Sequence, residues 1–157
     1  MRKTLTKRKK MKTNKIVFLD FDGVLVLYGH KADSRCVDAL NHIVKRTGAK
    51  IVVSSAWRFG YSVEELRELL QKWGVVGDVI DKTPAIMRGP YLERIERGKE
   101  IADYLKLEPK NTKYAILDDD PYSQVVVHEK LVDSLVRTDA RVGLTFKHAE
   151  KAINLLQ

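Results

Sequence analysis

A chain of 157 residues, 44% hydrophobic and 32% charged, fits one domain with a substantial core. No apolar stretch approaches the roughly 20 residues needed to cross a bilayer, and no apolar signal segment follows the basic N-terminus. Cys36 stands alone, which excludes an internal disulfide, and a reducing cytoplasm is the expected compartment.

The net charge of +8 is placed unevenly. Residues 1–15 hold Arg2, Lys3, Lys7, Arg8, Lys9, Lys10, Lys12 and Lys15 and no acid, whereas 21 basic and 21 acidic residues balance over 16–157. The expected organisation is a flexible basic tail over 1–15 and one domain over 16–157. Such a tail suits an arm that follows RNA or DNA. Neutralising about six phosphates would cost roughly a thousandfold in affinity between 50 and 200 mM salt. The competing reading is a solvated leader ahead of a second start at Met11.

After the tail, strands alternate with amphipathic helices. Residues 15–20 read as a buried strand and 24–32 as a loop or small hairpin. A helix is expected over 34–47, with Asp33 or Ser34 as cap, Val37, Leu40, Ile43 and Val44 inward, and Gly48 as stop. Lys50–Ser54 reads as a second buried strand. Ser62-Val63-Glu64-Glu65 has the form of a capping box. It opens a helix with Val63, Leu66, Leu69, Leu70 and Trp73 in one stripe, ended by Gly74. A short strand follows at 78–81, then a helix near 97–106 that buries Ile101 and Leu105. Strands are expected at 113–118 and about 134–138. Thr145 caps a last helix with Phe146, Ala149, Ile153 and Leu156 facing in. This alternation implies an α/β domain built on a mainly parallel sheet with helices on both faces. Ligands bind beyond the carboxyl ends of such strands, near the switch in strand order.

Asp20-Phe21-Asp22-Gly23-Val24 directly follows the apolar run Ile16–Leu19. Two carboxylates at i and i+2 leave an extended backbone on the same side, and Gly23 permits a sharp turn close to a ligand. Asp118-Asp119-Asp120 follows a second apolar run, Tyr114–Leu117. Asp20, Ser54 and Asp118 or Asp119 each end an expected strand, so folding should gather them at one edge, with Asp20 within about 8 Å of the Asp118–Asp119 pair. Two like charges about 4 Å apart repel by roughly 4 kcal/mol at an effective dielectric near 20, so such a cluster holds protons or a cation. Hard oxygen donors, with His30, His42, His128 and His148 scattered elsewhere, point to magnesium. Ser54 suits a phosphoryl oxygen. Arg97 opposes the dipole at a helix start, which suggests a task outside the helix. Arg58, after Ser54-Ser55-Ala56-Trp57, suits a second phosphate or a substrate backbone, against the alternative of a surface charge.

In this order the segments resemble the haloacid dehalogenase (HAD) superfamily of phosphohydrolases over nearly all of 15–157. Asp20-Phe21-Asp22-Gly23-Val24 is similar to its first motif, Ser54 to the second, Arg97-Gly98-x-x-Ile101 to the third and Leu117-Asp118-Asp119 to the fourth. The resemblance implies a three-layer Rossmann-like fold and no large cap domain, since few residues lie between motifs. It implies Asp20 as nucleophile and Asp22 as acid and base. It implies Ser54 and Arg97 around the phosphoryl group, and magnesium on Asp20, the Asp22 carbonyl, Asp118 and Asp119, with Asp119 the favoured direct ligand. Lys99 is the rival of Arg97, and Ser55, Arg58 and Lys99 are candidate substrate contacts. Ser54-Ser55-Ala56-Trp57-Arg58 and Val142-Gly143-Leu144-Thr145 further resemble the branch described from "Swiss army knife" RNA-repair proteins. That branch is related in concept to the phosphatase part of polynucleotide kinase-phosphatases.

The implied activity is phosphomonoester hydrolysis, 3′-phosphatase-like, on RNA or DNA ends, with no membrane partner. The alternatives are a nucleotide or sugar phosphatase and a non-catalytic nucleic-acid-binding module. A calcium loop is disfavoured because its twelfth position is Lys31 rather than Glu. A receiver domain would place its acidic pair and its Lys in the reverse order. Trp57 is expected against the core rather than stacked on a base.

Overall fold

A computed structural model describes residues 14–85 and 97–157; the basic tail up to residue 13 therefore lies outside the described residues. Strands β1 (Lys15–Leu19), β2 (Lys50–Val53), β3 (Val79–Lys82), β4 (Lys113–Asp118) and β5 (Leu135–Arg137) form one sheet in the order β3-β2-β1-β4-β5. Every pairing is parallel. The helices are α1 (Ser34–Thr47), α2 (Val63–Lys72), α3 (Arg97–Lys106), α4 (Glu129–Val132) and α5 (Phe146–Leu156), with a 3-10 turn at Ala56–Gly60.

Side-chain alternation sorts the strands into two cores. Val17, Leu19, Ile51, Val53, Ala115, Leu117 and Val136 pack against α1, α2 and α5. Ile16, Phe18, Val52, Ile116 and Leu135 face α3 and α4. Strands buried on both sides are continuously apolar, and the chain is accordingly three-layered with helices on both faces.

The caps bear out the punctuation of the sequence. Asp33 accepts from the Arg35 N–H, and Gly48 closes α1 in the left-handed region at φ 71°. Ser62 and Glu65 form the reciprocal box of α2, and Gly74 follows at φ 91°. Thr145 caps α5, with His148 completing that box through its ring nitrogen. Residues 24–32 make a compact turn bridged at Val26–Ala32.

Two expectations about helix faces need correction. Tyr104 is the more deeply buried partner of Ile101 on α3, while Leu105 is only partly buried against the same core, both lying within about one turn of Ile101; the Tyr104 ring meets Phe18 edge-on at 5.7 Å. Phe146 is the first residue of α5 and lies outside its buried stripe, 53% exposed, with its ring against His42. The short helix α4 and the 3-10 turn are additions that the periodicity does not signal.

Candidate active site

The sheet register brings the chemistry together. Leu19 pairs with Val53 on one side and Leu117 on the other, so Asp20, Ser54 and Asp118 leave three adjacent strands at one edge. Backbone bonds lock this level: Asp20 N–H donates to the Leu117 carbonyl and Ser54 N–H to the Leu19 carbonyl, both at 3.0 Å. The chain runs outward in opposite directions from β1 and β4, the switch point at which α/β sheets bind ligands.

Asp20, Asp118 and Asp119 each offer a carboxylate oxygen, and these atoms all lie within 4.8 Å of one another. Asp20 and Asp118 are buried, and Asp119 is partly buried. Arg97, at the start of α3, spans two of them: its Nη1 lies 3.1 Å from Asp20 Oδ2 and 3.0 Å from Asp118 Oδ2. The other oxygens of this pair are held locally. Asp20 Oδ1 accepts from the Phe21 N–H, and Asp118 Oδ1 accepts from the Asp120 N–H at 2.7 Å.

Burial raises the Asp20 carboxyl well above its ordinary range, and the charges of Asp118 and Asp119 add to this against the pull of Arg97. Burial and then Asp118 push Asp119 up to about 6. Burial opposes the charge on Arg97, but Asp20 and Asp118 outweigh it, and the guanidinium is held more firmly protonated than usual. Three carboxylates with one guanidinium remain short of positive charge.

This donor set fits a hard divalent cation: oxygen ligands alone, drawn from rigid strand ends. Gly23 adds an independent sign of close approach. Its φ is +80°, and a Cβ there would fall 2.3 Å from Asp119 Oδ2. The Gly23 carbonyl accepts from Thr138 Oγ1 at 2.7 Å, which ties the turn to the end of β5. Ser54 Oγ is buried without a hydrogen-bond partner among the described residues. An orphaned hydroxyl of this kind costs about 1–3 kcal/mol unless a ligand supplies the bond.

A crevice of about 160 Å³ opens over this group, lined by Asp20, Asp22, Ala56, Arg97, Asp119, Pro121, Tyr122 and Gln124. Asp22 is exposed, and its Oδ2 accepts from Trp57 Nε1 at 2.9 Å. Trp57 does pack against the core, but its hydrogen bond to Asp22 had no signal in the sequence.

The candidate substrate contacts fare differently. Arg58 does not reach the crevice. Its side chain is 2% exposed and forms a 2.7 Å ion pair with Glu100, which is equally buried. Its donors also reach the carbonyls of Ser54, Ser55 and Thr83. Neither a surface charge nor a phosphate ligand, Arg58 is an internal strut holding the Ser54 loop to α3. Ser55 is buried, with its hydroxyl accepting from the Trp57 N–H as cap of the 3-10 turn. Lys99 lies about 200° round the helix from Arg97 and pairs with Asp103 at 3.2 Å instead of joining the acidic group. The loop after β4 also carries more than a solvated turn: Asp120 is buried and accepts from the Val125 and Val126 N–H groups. Arg137 donates to the carbonyls of Asp119 and Asp120 and holds the same loop from β5.

An all-parallel α/β sheet with this acidic group at its switch point is compatible with a HAD domain, a class of phosphohydrolase domains that is generally metal-dependent. The chain belongs to the family described as the HAD domain in Swiss Army Knife RNA repair proteins, whose model matches residues 16–149. Comparison with curated proteins and with solved structures gave no match. No helix among the described residues is long and apolar enough to cross a membrane.

Proposed function

We propose that the chain is a magnesium-dependent phosphomonoesterase that removes terminal phosphate from nucleic acid through an aspartyl-phosphate on Asp20. The observation that carries this reading is the convergence of Asp20, Asp118 and Asp119 within 4.8 Å, with Arg97 spanning two of them.

In the first step a carboxylate oxygen of Asp20 attacks phosphorus, and the bond from phosphorus to the leaving oxygen breaks as Asp22 gives that oxygen its proton. In the second, Asp22 takes a proton from water whose oxygen attacks phosphorus; the bond to Asp20 breaks and inorganic phosphate leaves. Arg97 and the Ser54 hydroxyl hold the phosphoryl oxygens during both steps. Asp20, the Asp22 carbonyl, Asp118 and Asp119 would hold magnesium, with Asp119 the direct ligand of the latter pair because it lines the crevice while Asp118 is committed to Arg97 and the Asp120 N–H. When bound, the ion supplies positive charge that draws a phosphate dianion towards carboxylates that would otherwise repel it.

The size of the crevice supports a macromolecular substrate. Sites that engulf a small ligand usually enclose about 300–1,000 Å³, whereas the described residues here bound about 160 Å³. Among the described residues the crevice is of a size for a phosphoryl group. The RNA-repair context of the family and the cations of residues 1–12 agree with a nucleic-acid end.

Phosphate release from 3′- and 5′-phosphorylated oligonucleotides tests the reading. Release that needs magnesium and is lost in Asp20→Asn is expected; full activity in that variant would refute the nucleophile. Replacing the seven cations of residues 1–12 by neutral residues should weaken oligonucleotide binding and flatten its salt dependence. Unchanged salt dependence with sugar phosphates as the better substrates would favour a small-molecule phosphatase.

A further inference from the structure

Trp57 both belongs to the packed aromatic cluster and touches the chemistry. Its ring meets Phe21 edge-on at 5.5 Å and Trp73 at 5.7 Å, and Tyr61 stacks along it at 6.5 Å. The cluster fixes the plane of the indole, and the plane fixes the direction of its single polar group. That group, Nε1–H, donates to Asp22 Oδ2 at 2.9 Å.

Asp22 needs such a partner. It is exposed at the mouth of the crevice, and an exposed carboxylate has several rotamers available. The Asp22 backbone is fixed by the tight turn in which Gly23 N–H donates to the Val26 carbonyl at 2.9 Å, but this leaves the side-chain torsions open. An indole N–H can donate and never accept. The oxygen it holds is therefore an acceptor at every stage, and the leaving group meets the other oxygen.

We propose that Trp57 is a positioning residue that orients the Asp22 carboxyl by holding Oδ2 and presenting Oδ1 to the leaving oxygen of the substrate. This rests on the phosphatase reading above and adds to it a determinant of which esters are cleaved well. An ester whose leaving oxygen needs a proton, such as the sugar hydroxyl of a nucleic-acid end, depends on a correctly placed acid. A nitrophenolate departs largely without one.

The experiment compares turnover of an alkyl phosphate, a 3′-phosphorylated oligonucleotide, with that of p-nitrophenyl phosphate in the full chain. Trp57→Phe keeps the apolar packing and removes the donor; replacing Trp57 by β-(3-benzothienyl)alanine removes the N–H alone. The expected result is a kcat loss on the oligonucleotide about 10- to 100-fold greater than on the nitrophenyl ester, as for the misplacement of a general acid, with the same bias in Asp22→Asn. An independent reading comes from the Trp57 indole N–H resonance, which should move upfield in Asp22→Ala as its hydrogen bond is lost. Equal losses on both esters, no loss on the oligonucleotide, or an indole resonance indifferent to Asp22 would overturn the positioning role alone. A wild-type chain that releases phosphate from neither ester would overturn the phosphatase reading and the positioning role with it.

Discussion

The Arg58–Glu100 pair offers the sharpest test of how the site is held. Both side chains are 2% exposed and 2.7 Å apart, and Arg58 additionally binds three carbonyls of the 54–83 region at 2.9–3.1 Å. Burial lowers the pKa of Arg58 from its ordinary value despite the attraction of Glu100, so its charge is tolerated only because it is surrounded. Removing one member of a buried pair strands the other and costs about 3–5 kcal/mol. At about 2–4 °C per kcal/mol for a chain of this size, Arg58→Met should lower the melting temperature by roughly 10 °C. The double variant Arg58→Met/Glu100→Met removes the stranded charge and should recover much of that loss, though not the carbonyl bonds. Scanning calorimetry in metal-free buffer provides the measurement. A single variant melting within about 2 °C of the wild type, or a double variant no better than the single, would refute the strut.

Two further perturbations address the acidic group. Gly23→Ala would place its Cβ 2.3 Å from Asp119 Oδ2 at a positive φ. An overpacking cost of about 1–3 kcal/mol, borne by Asp119, corresponds to a magnesium requirement about 5- to 150-fold higher. Half-saturation and the magnesium-induced rise in melting temperature should both report it. The second concerns pH. Asp119 has its folded-state pKa raised to about 6, so the folded chain binds its proton more tightly than the unfolded one. The stability this contributes is present below pH about 4 and is lost as pH rises towards about 6. In metal-free buffer the wild type should therefore lose stability relative to Asp119→Asn across that window, and magnesium at pH 7.5 should stabilise the wild type more than the variant. An unchanged difference between the two across the window would refute the raised value.

What was legible in the sequence follows from where the deciding interaction lies. The bounds of α1 could be read because Asp33 and Gly48 act on their own neighbours, and Ser62 with Glu65 announces α2 for the same reason. The convergence of Asp20 with Asp118 and Asp119 was also legible, since strand ends in a parallel sheet share an edge. Arg58 was not, because its setting depends on Glu100, which reaches it from another element. Nothing in the local pattern of Trp57 reveals that its N–H finds Asp22. Asp120 looks like one more exposed acid until the amides of Val125 and Val126 fold back over it. Lys99 and Arg97 are near-equivalent in sequence and are separated only by the helical twist.

Because β1 pairs with β4 in parallel, Asp20 meets Asp118 and Asp119 across a long crossover rather than a local hairpin. Loops of tens of residues must close before the carboxylates meet, so contacts are distant along the chain and assembly is slow. An ion can recognise the centre only once that closure is nearly complete. Magnesium should accordingly act as a brake on opening, slowing the unfolding limb of a chevron while leaving the folding limb almost untouched.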